Sequence, residues 1–153
     1  LPGELIGLDA IWPHKHQCNA VALSTASVCE LPYDRITELS QQLPGLQHSL
    51  LRLLSKELAL SHSLAGDFTA EERIAGFLMS LASRLRVRGY SETHLTLAMS
   101  RRDLANYLRL ATETVSRVFS RFEHEGLITV DRREVRLRDP AKLAKFGHCL
   151  SID

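Results

Sequence analysis

The sequence predicts a mainly α-helical fold with small β elements. Three observations carry that expectation. Apolar residues recur three and four apart through most of residues 34–87; residues 100–138 set two short amphipathic stretches about a tight turn, ahead of two alternating runs; and glycine or proline marks several of the joins. With 153 residues and 44% hydrophobic content, the chain can build one good core or two small ones, which excludes a disordered protein.

Taken in order, residues 5–11 (LIGLDAI) and 19–31 (NAVALSTASVCEL) read as strands, the second carrying Val21, Leu23, Val28 and Leu31 among small residues and ending at Pro32. Trp12 is expected to pack at the edge of that sheet. From Asp34 the period becomes helical through Ile36 and Leu39, until Pro44-Gly45 breaks it. Residues 46–65 then form a longer helix with two apolar seams. One is Leu46, Leu50, Leu53, Leu60 and Leu64; the other is Leu51, Leu54, Leu58, Ser61 and Ala65 at strict 3-4-3-4 spacing. One seam can cover its own domain and the other can meet a second copy of the chain, as in a parallel coiled coil, so a homodimer is expected. The alternative is that both seams bury inside one bundle.

Gly66-Asp67 interrupts the pattern. Thr69-Ala70-Glu71-Glu72 has capping-box form and starts a helix through Ile74, Phe77, Leu78, Leu81 and Leu85 to Gly89. Residues 94–98 alternate like a short strand. Ser100 is the expected N-cap of a helix burying Leu104, Tyr107 and Leu108, and Thr112 the expected cap of the next, which Gly126 stops. Residues 127–130 and 134–138 are strands around Asp131-Arg132-Arg133. Two helices at a tight turn followed by this hairpin make a winged helix-turn-helix.

The formal net charge of +1 conceals a division. Residues 1–83 hold five basic against nine acidic residues (−4), whereas residues 84–138 hold twelve arginines against seven acids (+5). The positive charge sits where the helix-turn-helix sits, and all of it is arginine, whose fork suits phosphate and guanine. On the second helix Val115, Val118, Phe119 and Phe122 can seat against a core, leaving Glu113, Ser116, Arg117 and Ser120 to project elsewhere. A helix about 12 Å across fits the major groove of double-stranded DNA. There Arg117 can donate two hydrogen bonds to guanine, Glu113 can accept from cytosine or adenine, and Ser116 can touch a neighbouring base. Ser100, Arg101, Thr112, Arg121, Arg132 and Arg133 are the expected phosphate contacts. Arg121 is also placed to pair with Glu125 one helical turn on.

Cys18, Cys29 and Cys149 are scattered without a CxxC, so no disulfide framework or self-contained zinc site is indicated. His14, His16 and Cys18 would share one face of an extended strand, which raises a metal-binding interaction module as an alternative. No nucleophile elbow or phosphate-binding glycine loop occurs, so no enzyme is expected. No signal peptide or membrane-spanning run is found, and a cytoplasmic location is expected. The chain opens on Leu-Pro-Gly-Glu without an initiating Met and reads as a C-terminal fragment.

The runs SRRDLANYL and ATETVSRVFSRFEHEGLI resemble the DNA-binding signature of the bacterial fumarate-nitrate-reduction and cyclic-AMP-receptor superfamily of transcription regulators, most closely its oxygen-sensing branch. LPGELIGLDAI and VCELPYD look like the last strands of its cyclic-nucleotide-type β-roll, and AEERIAGFLMSLASRLRVRGYS like the helix after its dimer helix. The resemblance implies a homodimer on palindromic TTGAT-type promoter sites, read by Glu113, Ser116 and Arg117, with RNA polymerase as a further partner and anaerobic or redox-responsive genes under control. It also implies a [4Fe–4S] cluster in the full-length protein, with Cys29 in its V-C-E context as one ligand and no cofactor in this fragment. A haem, nitric oxide or ligand-free sensor is the alternative. Arg109 stands where the signature usually has glycine, Ser61 where oxygen sensors carry an aspartate, and the dimer helix is nearly a turn short before Thr69. The implied domains are a β-roll remnant over 1–33, linker and dimerisation helices over 34–66, and the winged helix-turn-helix over 67–153.

Overall fold

The computed structural model describes residues 1, 4–17 and 19–147, with the backbone alone for 60 and 62–65. It divides into two compact units, Leu1–Glu57 and Leu58–Asp153.

In the first unit the predicted strands are not formed. A 3₁₀ turn, Leu8–Ala10, occupies the first run, and the second is irregular with its side chains exposed. Alternation states which face a strand would bury, but a strand also needs a neighbour for its amide ladder, and no described segment pairs with either run. Val28 is accordingly 74% exposed, and Trp12, expected at a sheet edge, is 91% exposed. His14 has φ 53, so the extended alternation of His14, His16 and Cys18 does not hold either, and Cys18 lies outside the described residues.

Helix α1 spans Tyr33–Gln42 and α2 spans Pro44–Ala65. Pro44 falls at the first position of α2, where its missing N–H costs nothing. Along α2, Leu46, Leu50 and Leu53 are half-buried, whereas Leu51, Leu54 and Leu58 are exposed.

The second unit is built around α3 (Ala70–Val87). Its capping box is complete: Glu72 N–H donates to Thr69 Oγ1 at 3.2 Å and Thr69 N–H to Glu72 Oε2 at 2.7 Å. Ile74, Ala75 and Leu78 face the core, with Phe77, Leu81 and Leu85 packed beside them. Strand β1 (His94–Thr96) leads to α4 (Arg101–Leu108), then α5 (Thr112–His124), β2 (Ile128–Asp131), β3 (Glu134–Leu137) and α6 (Pro140–Phe146). The sheet is antiparallel in the order β1-β3-β2, pairing Leu95 with Val135 and Ile128 with Leu137. Leu95, Val135, Leu137 and Ile128 are buried, while His94, Thr96, Thr129 and Arg136 face out.

The core joins these layers through Leu104, Leu108, Val115, Phe119, Phe122, Leu127 and Leu143. Each fully buried Leu, Ile, Val or Phe contributes roughly 1.5–3 kcal/mol. Helix α6 is absent from the sequence expectations. Its start is conventional, with Pro140 in the first turn and the Asp139 carboxylate accepting from Lys142 N–H at 2.9 Å. It lies close on α3: a Cβ on Gly147 would stand 2.9 Å from the Gly76 nitrogen, so this crossing requires a residue without one.

Candidate nucleic-acid interface

The exposed edge of α5 is held in place from behind. Val115, Val118, Phe119 and Phe122 are buried at helical spacing, which turns Glu113, Ser116, Arg117 and Ser120 outward. Glu113 and Arg117 are exposed and make no hydrogen bond or ion pair among the described residues, so both are available to a ligand. The Ser116 hydroxyl donates back to the Thr112 carbonyl at 3.1 Å. Thr112 itself does not cap α5. Ala111, with extended backbone, holds the cap position without a side-chain acceptor, and Thr112 is the first helical residue. The helix therefore begins one residue earlier than the Thr112 cap implies.

Ser100 caps α4, and the cap is reciprocal. Asp103 N–H donates to Ser100 Oγ at 3.2 Å, while Ser100 N–H and Oγ–H donate to Asp103 Oδ2 at 2.9 and 2.6 Å. The Ser100 bonds hold the Asp103 carboxyl below its ordinary pKa of 3.8, with Arg102 and Arg133 adding smaller pulls in the same direction. Ala105 is buried. Leu104 and Leu108 are buried as expected, but Tyr107 is only half-covered, edge-on to Phe77 with ring centroids 5.8 Å apart.

The predicted phosphate contacts fall into different environments. The Arg101 guanidinium lies 3.7 Å from the Phe119 ring centroid, and burial pushes its pKa down while Glu123 opposes the shift. Arg121 is engaged by two carboxylates: Nε donates to Glu125 Oε1 at 2.8 Å, as its helical spacing implies, and Nη1 to Glu71 Oε1 at 2.9 Å. Arg132 and Arg133 are exposed at the wing tip. Glu123 Oε1 accepts from Val130 N–H at 3.0 Å, tying β2 to α5. Gly126, at φ 70, takes the left-handed position that ends α5 and starts the wing.

A model of the Crp-like helix-turn-helix domain matches residues 72–146. The transcriptional activator protein anr of Pseudomonas aeruginosa is 47% identical over 150 residues, covering 96% of this chain and 62% of that protein. Residues 72–146 belong to the Crp-like helix-turn-helix family. The transcriptional regulatory protein btr of Bordetella pertussis is also 47% identical, over 91% of this chain and 59% of its own length. Among solved structures, FixK2 from Bradyrhizobium japonicum shares the fold with a TM-score of 0.65 at 28% identity, covering 74% of this chain and 57% of that one. The chain spans about three fifths of the length of these curated relatives. Within the Crp-like domain the match takes in both helices of the helix-turn-helix, the three-stranded sheet and α6.

Of the chain's three cysteines, Cys29 alone lies among the described residues, and it is exposed. No three His, Cys, Asp or Glu side chains gather into a metal site among those residues. A [4Fe–4S] cluster takes about four thiolates, so the described residues do not fit one by themselves. Among them, no helix is long and apolar enough to cross a membrane.

Proposed function

We infer that the chain is the DNA-reading part of a transcription regulator that binds promoter duplexes as a homodimer. The observation that carries this reading is the edge of α5, where Glu113, Ser116 and Arg117 are all exposed on a helix anchored by four buried side chains. Arg117 and Glu113 supply a bidentate donor and an acceptor for base edges, and Ser100, Arg101, Thr112, Arg121, Arg132 and Arg133 supply phosphate contacts. The preferred site is a palindrome of TTGAT-type half-sites, and the genes controlled are anaerobic or redox-responsive. The names of the relatives support that assignment: those in Aggregatibacter actinomycetemcomitans and Haemophilus influenzae are called anaerobic regulatory proteins, and that in Pseudomonas aeruginosa a transcriptional activator.

Within this reading, residues 1–33 belong to a sensor domain, 34–66 carry the linker and dimer helices, and 67–153 read DNA, with RNA polymerase as the partner that converts binding into transcription. The exposed seam of Leu51, Leu54, Leu58 and Ser61 supports self-association. The side chain of Ala65, the last member of that seam, lies outside what is described. Cys29 would be one thiolate of a cluster in a longer protein, and no regulatory step is drawn through it.

The test is a gel shift at fixed salt, comparing a TTGAT-palindrome duplex with a scrambled duplex of equal length. Tighter binding of the palindrome is expected. Equal binding of both duplexes would sink sequence-specific readout.

A further inference from the structure

Three described non-glycine residues hold a positive φ: His14, Arg109 and Arg132. Two of them are arginines in turns of the unit assigned to DNA. Arg109, at φ 54 and ψ 46, separates α4 from α5, and Arg132, at φ 54, lies in the β2–β3 turn. The left-handed conformation is unfavourable for any L side chain and free of that penalty for glycine. A side chain kept there despite the strain points to a use for it.

The turn does not depend on that side chain. Arg109 N–H donates to the Asn106 carbonyl at 3.3 Å, Leu110 N–H to the Ala105 carbonyl at 2.9 Å, and Arg73 Nη1 to the Leu108 carbonyl at 3.3 Å. Glycine would keep all three bonds. The Arg109 guanidinium, by contrast, is exposed and makes no hydrogen bond or ion pair among the described residues. It stands three residues before Thr112, where α5 begins. Standing in the turn rather than on α5, it is separate from the outward edge that carries Glu113, Ser116 and Arg117.

We propose that Arg109 is a further phosphate-binding residue of the duplex interface, gripping the backbone beside the groove that α5 enters, as Arg132 does from the wing. The guanidinium fork matches the two non-bridging oxygens of a phosphodiester. This rests on the DNA-binding reading above.

The experiment is a fluorescence-anisotropy salt series on the full chain with labelled TTGAT-palindrome and scrambled duplexes, comparing the unmutated protein with Arg109→Gly, Arg109→Lys and Arg117→Ala. Arg109→Gly is expected to weaken both duplexes by the same factor and to reduce the slope of log K against log salt by about 0.9 per subunit. Its thermal midpoint should be unchanged or raised, because glycine suits the turn. Arg109→Lys should retain the slope. Unchanged affinity and slope in Arg109→Gly would overturn the proposal; so would weakened binding with a lowered midpoint, which marks a structural role, or weakening confined to the palindrome, which marks a base reader. An unmutated chain that binds neither duplex removes the DNA reading and this proposal with it. If the unmutated chain binds and Arg117→Ala loses preference while Arg109→Gly changes nothing, only the Arg109 assignment falls.

Discussion

Arg121 and Glu71 stand fifty positions apart in the sequence and 2.9 Å apart in space, Nη1 donating to Oε1. Glu125 takes Nε of the same guanidinium, so a cation expected to hold phosphate is already shared between two carboxylates. Duplex phosphates must compete with them. Glu71→Gln is therefore expected to strengthen binding to palindromic and scrambled DNA alike, most at low salt. Arg121→Ala should weaken both equally, and by a larger factor in the Glu71→Gln background than in the unmutated one. A double-mutant cycle read by gel shift checks this; strictly additive effects would show that Glu71 does not restrain Arg121.

The Arg121–Glu71 pair also marks where sequence reading stops. The Glu125 partner follows from helical spacing within α5, whereas Glu71 lies on α3, and no local pattern connects the two. The helix-turn-helix itself was legible because Val115, Val118, Phe119 and Phe122 repeat with the helical period and Ser100 and Gly126 are residues with terminal preferences. Thr112 stands one residue inside α5 rather than at its cap, since the Ala111 methyl offers no acceptor to announce that position. Residues 5–11 and 19–31 misled for a different reason: alternation is a property of one strand, and pairing is a property of two. Helix α6 did carry a signal in Asp139-Pro140, a cap followed by a first-turn proline. Arg117 and Glu113 stand, as the helical period implies, on the face that the buried residues leave open.

Arg117→Ala should abolish the preference for the palindrome while leaving the fold intact, because its side chain is exposed and makes no hydrogen bond or ion pair among the described residues. A lost bidentate base contact removes roughly 1–3 kcal/mol of discrimination. The readout is the ratio of dissociation constants for palindromic and scrambled duplexes at one salt concentration. A ratio unchanged from the unmutated chain would take Arg117 out of the reading set.

Phe122 is fully buried in the core and packs against Phe146, ring centroids 5.6 Å apart, so it couples α5 to α6. Phe122→Ala is expected to cost about 3–5 kcal/mol. Against a typical domain stability of about 5–15 kcal/mol, that loss brings the reader domain close to unfolding. Urea denaturation followed by far-ultraviolet circular dichroism measures it. A midpoint that barely moved would mean that the site collapses around the deletion.

The caps of α3 and α4 make stability depend on acid. Glu72 and Asp103 ionise below their ordinary values of 4.5 and 3.8, because Thr69 and Ser100 donate hydrogen bonds to the charged carboxylates. A depressed folded-state pKa gives stabilisation that is present above the unfolded value and is lost as pH falls through the folded one. The contribution should hold from neutral pH down to about 4.5 for Glu72 and about 3.8 for Asp103, and fade below each value as that carboxylate protonates. Asp103→Ala should lower the thermal midpoint at pH 7, and its gap from the unmutated chain should narrow in strong acid. A gap independent of pH would exclude the ionised cap as its source.

Helix α2 leaves Leu51 60% and Leu58 58% exposed on the seam that also carries Leu54, while Leu46, Leu50 and Leu53 are half-buried. Leucines at 3-4 spacing left to water gain by meeting a second seam of the same kind, each contributing roughly 1.5–3 kcal/mol when fully covered. A carboxylate in that seam would have to be buried unpaired or keep the helices apart. Leu58→Glu should therefore shift the chain from dimer to monomer in sedimentation velocity without loss of helical circular dichroism. The same variant should bind the palindrome no better than a duplex carrying one half-site, since the two readers are no longer joined and the gain from a linked second contact disappears. An unmutated chain that sediments as a monomer would place the partner of this seam elsewhere. A Leu58→Glu chain that stayed dimeric would show that the exposed leucines do not form the interface.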